Sequence, residues 1–570
     1  MSTPTLAQVT KVQNTIMLMS NESIFKKIDH ARRTEMESPP LRYIDIPQML
    51  NDSKSSTELF LTYINGEDNR VALTYKEFIH QVFLTANYLK NGGLIRGDRI
   101  ATVSHNHWHT VVHYFASWLL GLVVVPINLS EDDNRIAYIL EKSNVKLVFI
   151  RDLYEKRISH VLSENGLKDI NLVLCTETLN DTIGSGNYVL DSLFSNESLA
   201  EEDALIVFTS GTTGNPKGVV LTQKNLLEDA RAISDWHQID SDTKMMCVLP
   251  IHHVNGTVVT LMTPFYAGGS VVLNEKFRVG KFFDIITSEQ VHIVSVVPTL
   301  LQFLNNEYEG KAKPNYPTLR HIICGAGPLT VSVAQNFEER FGIRIIHGYG
   351  LSETTCYSCY LPLDISEAEH KKWMREYGYP SIGIALQVNE MAIHDNMGEP
   401  VPHGERGEIV IRGYNVMSGY YANESANEEA FTYGWFRSGD EGFIKKDQFG
   451  REFYFITGRL KELIIRGGVN LSPLEIDEVI CRAPGVKVGI SVGFENDWYG
   501  EEVGAYVQLL DGTDENEESI LKFCSEHLPF SKCPKVIVFG NDIPVTSTGK
   551  YQRRKVAHLF KKWKQVQFRK

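Results

Sequence analysis

The sequence predicts an α/β protein: a large N-terminal domain of doubly wound, mostly parallel sheets that includes a small β subdomain, joined to a small α+β C-terminal domain. Apolar runs without internal polar alternation, such as Leu122-Val-Val-Val125 and Leu205-Ile-Val-Phe208, alternate with helical patterns, as strands covered on both faces require. From about Gly383 to Arg459 the texture shifts to short β runs with turns, as in Gly407-Glu-Ile-Val-Ile-Arg-Gly413. Beyond the junction Gly458-Arg459-Leu460-Lys461 the chain carries its own strands (Val488 to Val492, Val503 to Leu509) and a helix (Ser519 to Glu526). At 570 residues the chain exceeds what one core supports. The expected divisions are an extension over 1–45, a main domain over 46–459 with its β subdomain at about 383–459, and a C-terminal domain over 460–570.

Taken in order, residues 1–45 are polar and weakly patterned, and Pro39-Pro40 breaks them. Residues 59–64 form a strand pattern. Thr74-Tyr-Lys-Glu77 is a capping box that opens a helix with Phe78, Val82 and Leu89 on one face, and Gly92-Gly93 ends it. Strand-like Ile100–Val103, a helix from His109 to Leu120, and strands at Leu122–Val125 and Val145–Ile150 follow. His105, His107, His109 and His113 open that helix without a carboxylate companion; metal binding needs three or four converging ligands, which favours a packed helix here. Further short strands at Ser270–Leu273, His292–Val297, His321–Ile323 and Arg344–Ile346 lead, in the last two cases, into Gly325-Ala-Gly327-Pro328 and Gly348-Tyr-Gly350. Glycine clusters beyond the carboxyl ends of parallel strands are where open α/β sheets bind ligands. Leu471-Ser-Pro-Leu-Glu475 is a helix start with Ser472 as cap, Pro473 in the first turn and Glu475 closing a capping box.

Composition narrows the function. Hydrophobic content of 43% and charged content of 22% are those of a soluble globular protein, and a net charge of −13 argues against a general nucleic-acid binder. The basic tail, Lys561 to Lys570, is read as a solvated terminus. No apolar run is long enough to span a bilayer, and residues 1–20 lack the pattern of a secretory signal. Eight scattered cysteines suggest reduced thiols and a cytoplasmic location. Cys356-Tyr-Ser-Cys359 has redox or zinc spacing but no second Cys/His pair, so two neighbouring thiols are expected.

The chemistry centres on Thr209-Ser210-Gly211-Thr212-Thr213-Gly214-Asn215-Pro216-Lys217-Gly218, placed between a buried strand and a helical pattern starting at Thr222. Glycines let backbone N–H groups approach phosphate oxygens, hydroxyls donate hydrogen bonds, and lysine supplies a point charge. The G-x-x-x-x-G-K-[ST] phosphate loop does not fit, because Gly218 rather than a hydroxyl residue follows Lys217.

This loop, together with Gly325-Ala-Gly-Pro328, His347-Gly-Tyr-Gly-Leu-Ser-Glu-Thr-Thr355, Gly434-Trp-Phe-Arg-Ser-Gly-Asp440, Thr457-Gly-Arg-Leu-Lys-Glu462 with Arg466-Gly-Gly468, and Pro544-Val-Thr-Ser-Thr-Gly-Lys550, resembles the adenylate-forming ligases, most closely the acyl-CoA and aryl-CoA synthetases. The resemblance runs from about residue 59 nearly to the end. It implies a carboxylic acid and ATP giving acyl-AMP and pyrophosphate, then CoA giving the thioester and AMP. It further implies adenine stacking on Tyr349 and Gly350, with the Gly325, Ala326 and Gly327 backbone along the base. The ribose falls to Asp440 and Arg459, the β- and γ-phosphates to Thr209, Ser210, Gly211, Thr212, Thr213, Gly214 and Lys217, and the α-phosphate to Thr354. Glu353 matches the Mg2+ ligand, a hard oxygen donor for a hard cation. Lys550 matches the lysine that bridges carboxylate and α-phosphate, and Lys461 matches a hinge. Rotation at that hinge brings up the Arg466, Gly467 and Gly468 face of a thiol tunnel. His253, with His252 as competitor, matches a histidine beside the acyl pocket. Ser352 and Ser438 stand where threonine is common, and Glu462 where aspartate is frequent.

Peptide-synthetase adenylation domains place an aspartate near Pro250-Ile-His-His-Val-Asn-Gly256; its absence disfavours α-amino acids. Three alternatives to CoA ligation remain. These are an acyl-adenylate ligase that loads a phosphopantetheine carrier protein in trans, a luciferase-like oxygenase, and a non-catalytic scaffold. Retention of Lys217, Glu353, Asp440 and Lys550 together argues against the last.

Overall fold

The computed structural model describes residues 23–35, 39–175, 193–195, 197–209, 216–545 and 551–569. Two large sheets build the N-terminal domain. The first runs, in spatial order, Ile384–Ala385, Cys359–Tyr360, Ile345–Tyr349, His321–Cys324, Ile293–Val296, Lys244–Cys247, Ser270–Asn274, Leu59–Ile64 and Arg70–Thr74. Its middle pairs are parallel and its two ends antiparallel. The second runs Gly419–Tyr420, Lys217–Thr222, Asp203–Thr209, Val123–Pro126, Arg99–Val103, Val145–Arg151 and Asn171–Cys175, again parallel except at the first two pairings. Buried Phe60, Phe78, Phe115 and Phe265 interlock against the first sheet, with Phe60 and Phe265 ring centres 4.8 Å apart. The expected capping box forms: Thr74 Oγ1 accepts from the Glu77 N–H and Glu77 accepts from the Thr74 N–H.

A four-stranded antiparallel sheet, Asn389–His394, Gly407–Gly413, Phe436–Lys446 and Glu452–Arg459, occupies the stretch where short β runs were expected. The helix Ile24–Ala31 lies against its Gly407–Gly413 strand, and Thr34 donates to Glu390 Oε1 at 2.7 Å. The C-terminal domain packs helices Pro473–Arg482 and Glu517–His527 on a sheet of the hairpin Ile464–Arg466/Val469–Leu471 and the strands Val486–Asn496, Gly500–Leu509 and Val536–Phe539.

The structure differs from the sequence-based expectations at three places. The phosphate-loop region is followed by an unforeseen strand, Lys217–Thr222, antiparallel to Asp203–Thr209, before the helix opens at Gln223 with Thr222 as cap, where a helical start was expected. The strand's Val219-Val-Leu221 run is too short for periodicity alone to separate from the helix start that follows it. Gly348 and Tyr349 belong to the strand itself rather than following it. Ser472 caps its helix, but Glu475 closes no box; its carboxylate accepts from Lys532 Nζ at 2.6 and 2.7 Å, and an ammonium outcompetes a backbone N–H.

His107, His109 and His113 are packing residues of the helix Trp108–Leu119 and its cap, and His105, just before them, meets Tyr154 Oη at 3.3 Å. The His113 ring stacks on Phe149 at 3.8 Å, and burial followed by the nearby Arg151 charge lowers the His109 pKa to about 3. Cys356 and Cys359 are free and buried, and all eight cysteines are free thiols.

One buried ion pair organises the C-terminal domain. Asp477, on the helix Pro473–Arg482, accepts from Arg553 Nη1 (3.0 Å), from the Ser491 N–H (2.6 Å) and from Ser491 Oγ (2.8 Å), while Arg553 Nη1 also donates to the Ser491 carbonyl (2.9 Å). Arg553→Ala leaves the buried carboxylate without its cation, and the expected loss is about 3–5 kcal/mol, read as a lower urea midpoint for the first unfolding transition. An unchanged midpoint would show the pair to be energetically idle.

Candidate active site

The carboxyl ends of His321–Cys324 and Ile345–Tyr349 open into one cleft. Its walls include Ala326, Gly327, His347, Gly348, Tyr349, Gly350, Asp440 and Arg459, with Tyr551 and Arg553 contributed by the C-terminal domain, around a cavity of about 130 Å³. Only glycine fits at two points of this wall. A Cβ on Gly325 would meet Tyr357 Oη at 2.5 Å and the Gly348 carbonyl at 2.7 Å; one on Gly350 would lie 1.9 Å from the Cys356 carbonyl oxygen.

Asp440 is the electrostatic centre. It sits on the strand Phe436–Lys446 directly opposite Arg459 on Glu452–Arg459. Its carboxylate is 2% exposed; Oδ2 accepts from Tyr349 Oη at 2.6 Å, and Arg459 Nε stands 2.9 Å from Oδ1. Oδ1 nonetheless receives no aligned hydrogen bond and is buried. Burial first, and then the adjacent Asp440 charge, raise the Tyr349 pKa, so the phenol keeps its proton. The Asp440 charge conversely raises that of Arg459.

Glu353 lies in the turn Ser352–Thr354, and its Oε1 accepts from Tyr420 Oη at 2.8 Å. The turn is strained: Thr355 has φ 63° and ψ −62°, with the Cys356 N–H donating to the Thr354 carbonyl at 2.7 Å, a γ-turn of the rarer hand. Thr355 Oγ1 anchors it to the Asn415 carbonyl at 2.7 Å. Thr354 ends the same short turn. It is fully buried, and its hydroxyl accepts from the Leu351 N–H (3.1 Å) and donates to the Leu351 carbonyl (3.3 Å), which commits it to shaping the turn.

Lys217 Nζ stands 4.8 Å over the Tyr420 ring and 4.0 Å from Glu429 Oε2, and Lys461 Nζ donates to Glu429 Oε1 at 3.1 Å. Thr209 Oγ1 donates to the Lys217 carbonyl at 3.4 Å. Ser210, Gly211, Thr212, Thr213, Gly214 and Lys550 lie outside the described residues. Arg466 is not in the cleft wall here; its guanidinium pairs with buried Glu502 (Nε to Oε1, 2.9 Å) and stacks 4.0 Å from the Tyr499 ring, while Gly467 and Gly468 take positive φ in the hairpin turn. The rings of His252 and His253 are 4.4 Å apart, and His252 Nε2 is buried without a hydrogen-bond partner. Both precede the π-helical stretch Asn255–Met262, and such stretches are common at functional sites. Among the described residues no cluster of three or more His, Cys, Asp and Glu side chains is built to hold a metal ion by itself.

Sequence reasoning did not single out Tyr420, Glu429, Tyr551 or Arg553. Tyr420 lies inside Gly419-Tyr-Tyr-Ala-Asn423, a segment that resembles CoA ligases, so its signal was present; Glu429 is one glutamate among the acidic residues of a short helix and carries no local signature.

Comparisons with known proteins place the chain in a family. The model of the AMP-binding enzyme family matches residues 54–421, and that of the AMP-binding enzyme C-terminal domain matches residues 475–550. The chain belongs to the AMP-binding enzyme family. Among the relatives of this AMP-binding enzyme is the sulfoacetate–CoA ligase of Cupriavidus necator, 33% identical over 87% of this chain and 94% of that protein. The oxalate–CoA ligase of Arabidopsis thaliana is 30% identical over 87% of this chain and 95% of that protein. Among solved structures, ATP-bound MatB from Rhodopseudomonas palustris superposes with a TM-score of 0.77 at 25% identity, covering 91% of this chain and 99% of that one. The protein is an AMP-forming acid–thiol ligase that uses ATP and CoA as substrates. Among the described residues no helix is long and apolar enough to cross a membrane.

Proposed function

We propose that the cleft adenylates a short carboxylic acid with ATP and then passes the acyl group to CoA. The observation that carries this reading is the buried carboxylate of Asp440 in the cleft wall, whose Oδ1 is ion-paired with Arg459 but receives no aligned hydrogen bond, leaving acceptor capacity for hydroxyl donors such as those of a ribose. Adenine lies on Tyr349 along Gly325–Gly327, and Lys217 with the loop from Thr209 through Gly214 neutralises the β- and γ-phosphates. Glu353 fits Mg2+, because a single carboxylate beside substrate phosphates is how this cation is commonly held, and Tyr420 fixes one of its oxygens. When bound, Mg2+ spreads the phosphate charge. Lys550 approaches from the C-terminal domain, whose next residues Tyr551 and Arg553 already line the cleft. The main domain then ends near Arg459, and rotation at Lys461 presents the Arg466–Gly468 hairpin to the thiol. Eight free thiols favour a reducing cytoplasm.

Packing supports a short acid. The acyl side lies by His252 and His253, where Tyr357, buried and packed against Gly325, accepts from Asn255 Nδ2 at 3.2 Å, and Ser295 Oγ donates to Asn255 Oδ1 at 2.8 Å. This network closes the wall with a polar plug, and the relatives acting on sulfoacetate and oxalate take small acids. The test is pyrophosphate release across aliphatic, aryl and amino acids of increasing length, with and without CoA. We expect short acids to turn over only with CoA, and Tyr357→Ala to shift the preference toward longer acids by at least about tenfold in kcat/KM. Preference for a long-chain acid in the unaltered enzyme would sink the substrate assignment. A single turnover indifferent to CoA would point to a carrier protein as acceptor.

A further inference from the structure

One carboxylate crosses the boundary between the domains. Glu478, on the C-terminal helix Pro473–Arg482, accepts at Oε1 from the Ser332 N–H at 3.1 Å. Ser332 is in the first turn of the helix Val331–Phe341 of the main domain, where Thr330 supplies the local cap by accepting from Val333. Backbone N–H groups of a first helical turn have no partner inside the helix, and the dipole there favours an anion. The cap from within the chain leaves one of these donors to be met by the other domain. A second bond spans the boundary nearby, from Gln302 Nε2 to the Lys487 carbonyl at 2.8 Å.

The two ends of this contact matter for the cleft. The helix Val331–Phe341 follows immediately on the wall segment Gly325–Pro328. On the other side, Asp477, the neighbour of Glu478 on one helix, grips Arg553, which with Tyr551 lines the cleft. A single helix of the C-terminal domain therefore holds the Arg553–Lys555 turn through Asp477 and the helix behind the nucleotide wall through Glu478.

We propose that Glu478 is a positioning residue for the first half-reaction: by capping the Val331–Phe341 helix from the other domain it holds the C-terminal domain in the arrangement in which Tyr551 and Arg553 line the cleft. This rests on the adenylation reading of the cleft. The bond exists only while the domains are so placed, so removing it shifts the population between arrangements instead of weakening a contact common to both. Burial raises the pKa of Glu478, opposed by the Ser332 bond, in keeping with a carboxylate drawn from water to make this contact.

The experiment separates the half-reactions in the full chain, using whichever acid of the panel is fastest and its synthetic acyl-adenylate. For Glu478→Ala we expect acid-dependent pyrophosphate exchange to fall about tenfold, thioester formation from the supplied acyl-adenylate and CoA to stay within about twofold, and Glu478→Gln, which keeps a neutral acceptor, to fall between. Equal losses in both half-reactions would make the residue merely structural and overturn the proposal, as would exchange at the unaltered rate. Absence of exchange with every acid in the unaltered enzyme would overturn the adenylation reading, and this inference with it.

Discussion

Lys550→Ala is expected to lower acid-dependent pyrophosphate exchange by about 10²–10³-fold while leaving the affinity for AMP within about twofold. The physical reason is that a cation placed between an attacking carboxylate and the α-phosphorus meets its full complement of charge only in the transition state, so its removal acts on kcat and not on ground-state binding. Lys550 itself lies outside the described residues, but its flank is informative. Val545 and Tyr551 pair as an antiparallel bridge, the Gln552 N–H donates to the Pro544 carbonyl at 2.8 Å, and Tyr551 lines the cleft. Those contacts join the described flanks on either side of Lys550 independently of its side chain, so the substitution tests chemistry without unfolding the domain. Stopped-flow pyrophosphate release together with equilibrium titration of AMP gives the two numbers; exchange at the unaltered rate would remove Lys550 from the mechanism.

Asp440→Ala is expected to raise the KM for ATP by about 100-fold. Hydrogen bonds to a charged group are worth about 1.5–3 kcal/mol, and the substitution removes the acceptor at Oδ1 as well as the partner of Tyr349 and Arg459. Asp440→Asn separates the contributions: it keeps a carbonyl acceptor but loses the charge opposite Arg459, so a smaller rise of about tenfold is expected. Both variants are read by initial rates at varied ATP with thermal melting as a control for folding. A normal KM for ATP in Asp440→Ala with a normal melt would place the ribose elsewhere.

The sequence by itself determined the elements whose physics is local. Strands buried on both faces must be continuously apolar, so Val123–Pro126, Asp203–Thr209 and Ser270–Asn274 announced a parallel sheet, and the Thr74–Glu77 box marked a helix start within a single turn. The glycines of the cleft wall were equally legible, because a backbone that must pass 1.9 Å from where a Cβ would sit tolerates nothing else. Tertiary structure decided what depends on partners distant in the chain. That Lys217–Thr222 is a strand at all turns on its neighbours on both sides, Asp203–Thr209 and Gly419–Tyr420, the second about two hundred residues away. Whether Glu475 caps a helix turns on Lys532, and whether Thr354 faces the cleft turns on the γ-turn at Thr355. Asp440 was named from its motif, but its buried setting, with Tyr349 on Oδ2 and the Arg459 charge beside Oδ1, exists only because those two residues arrive from other segments. Side-chain charge and hydrogen-bonding capacity are written in the residue type; how much of that capacity is left for a ligand is set by what the fold packs around it.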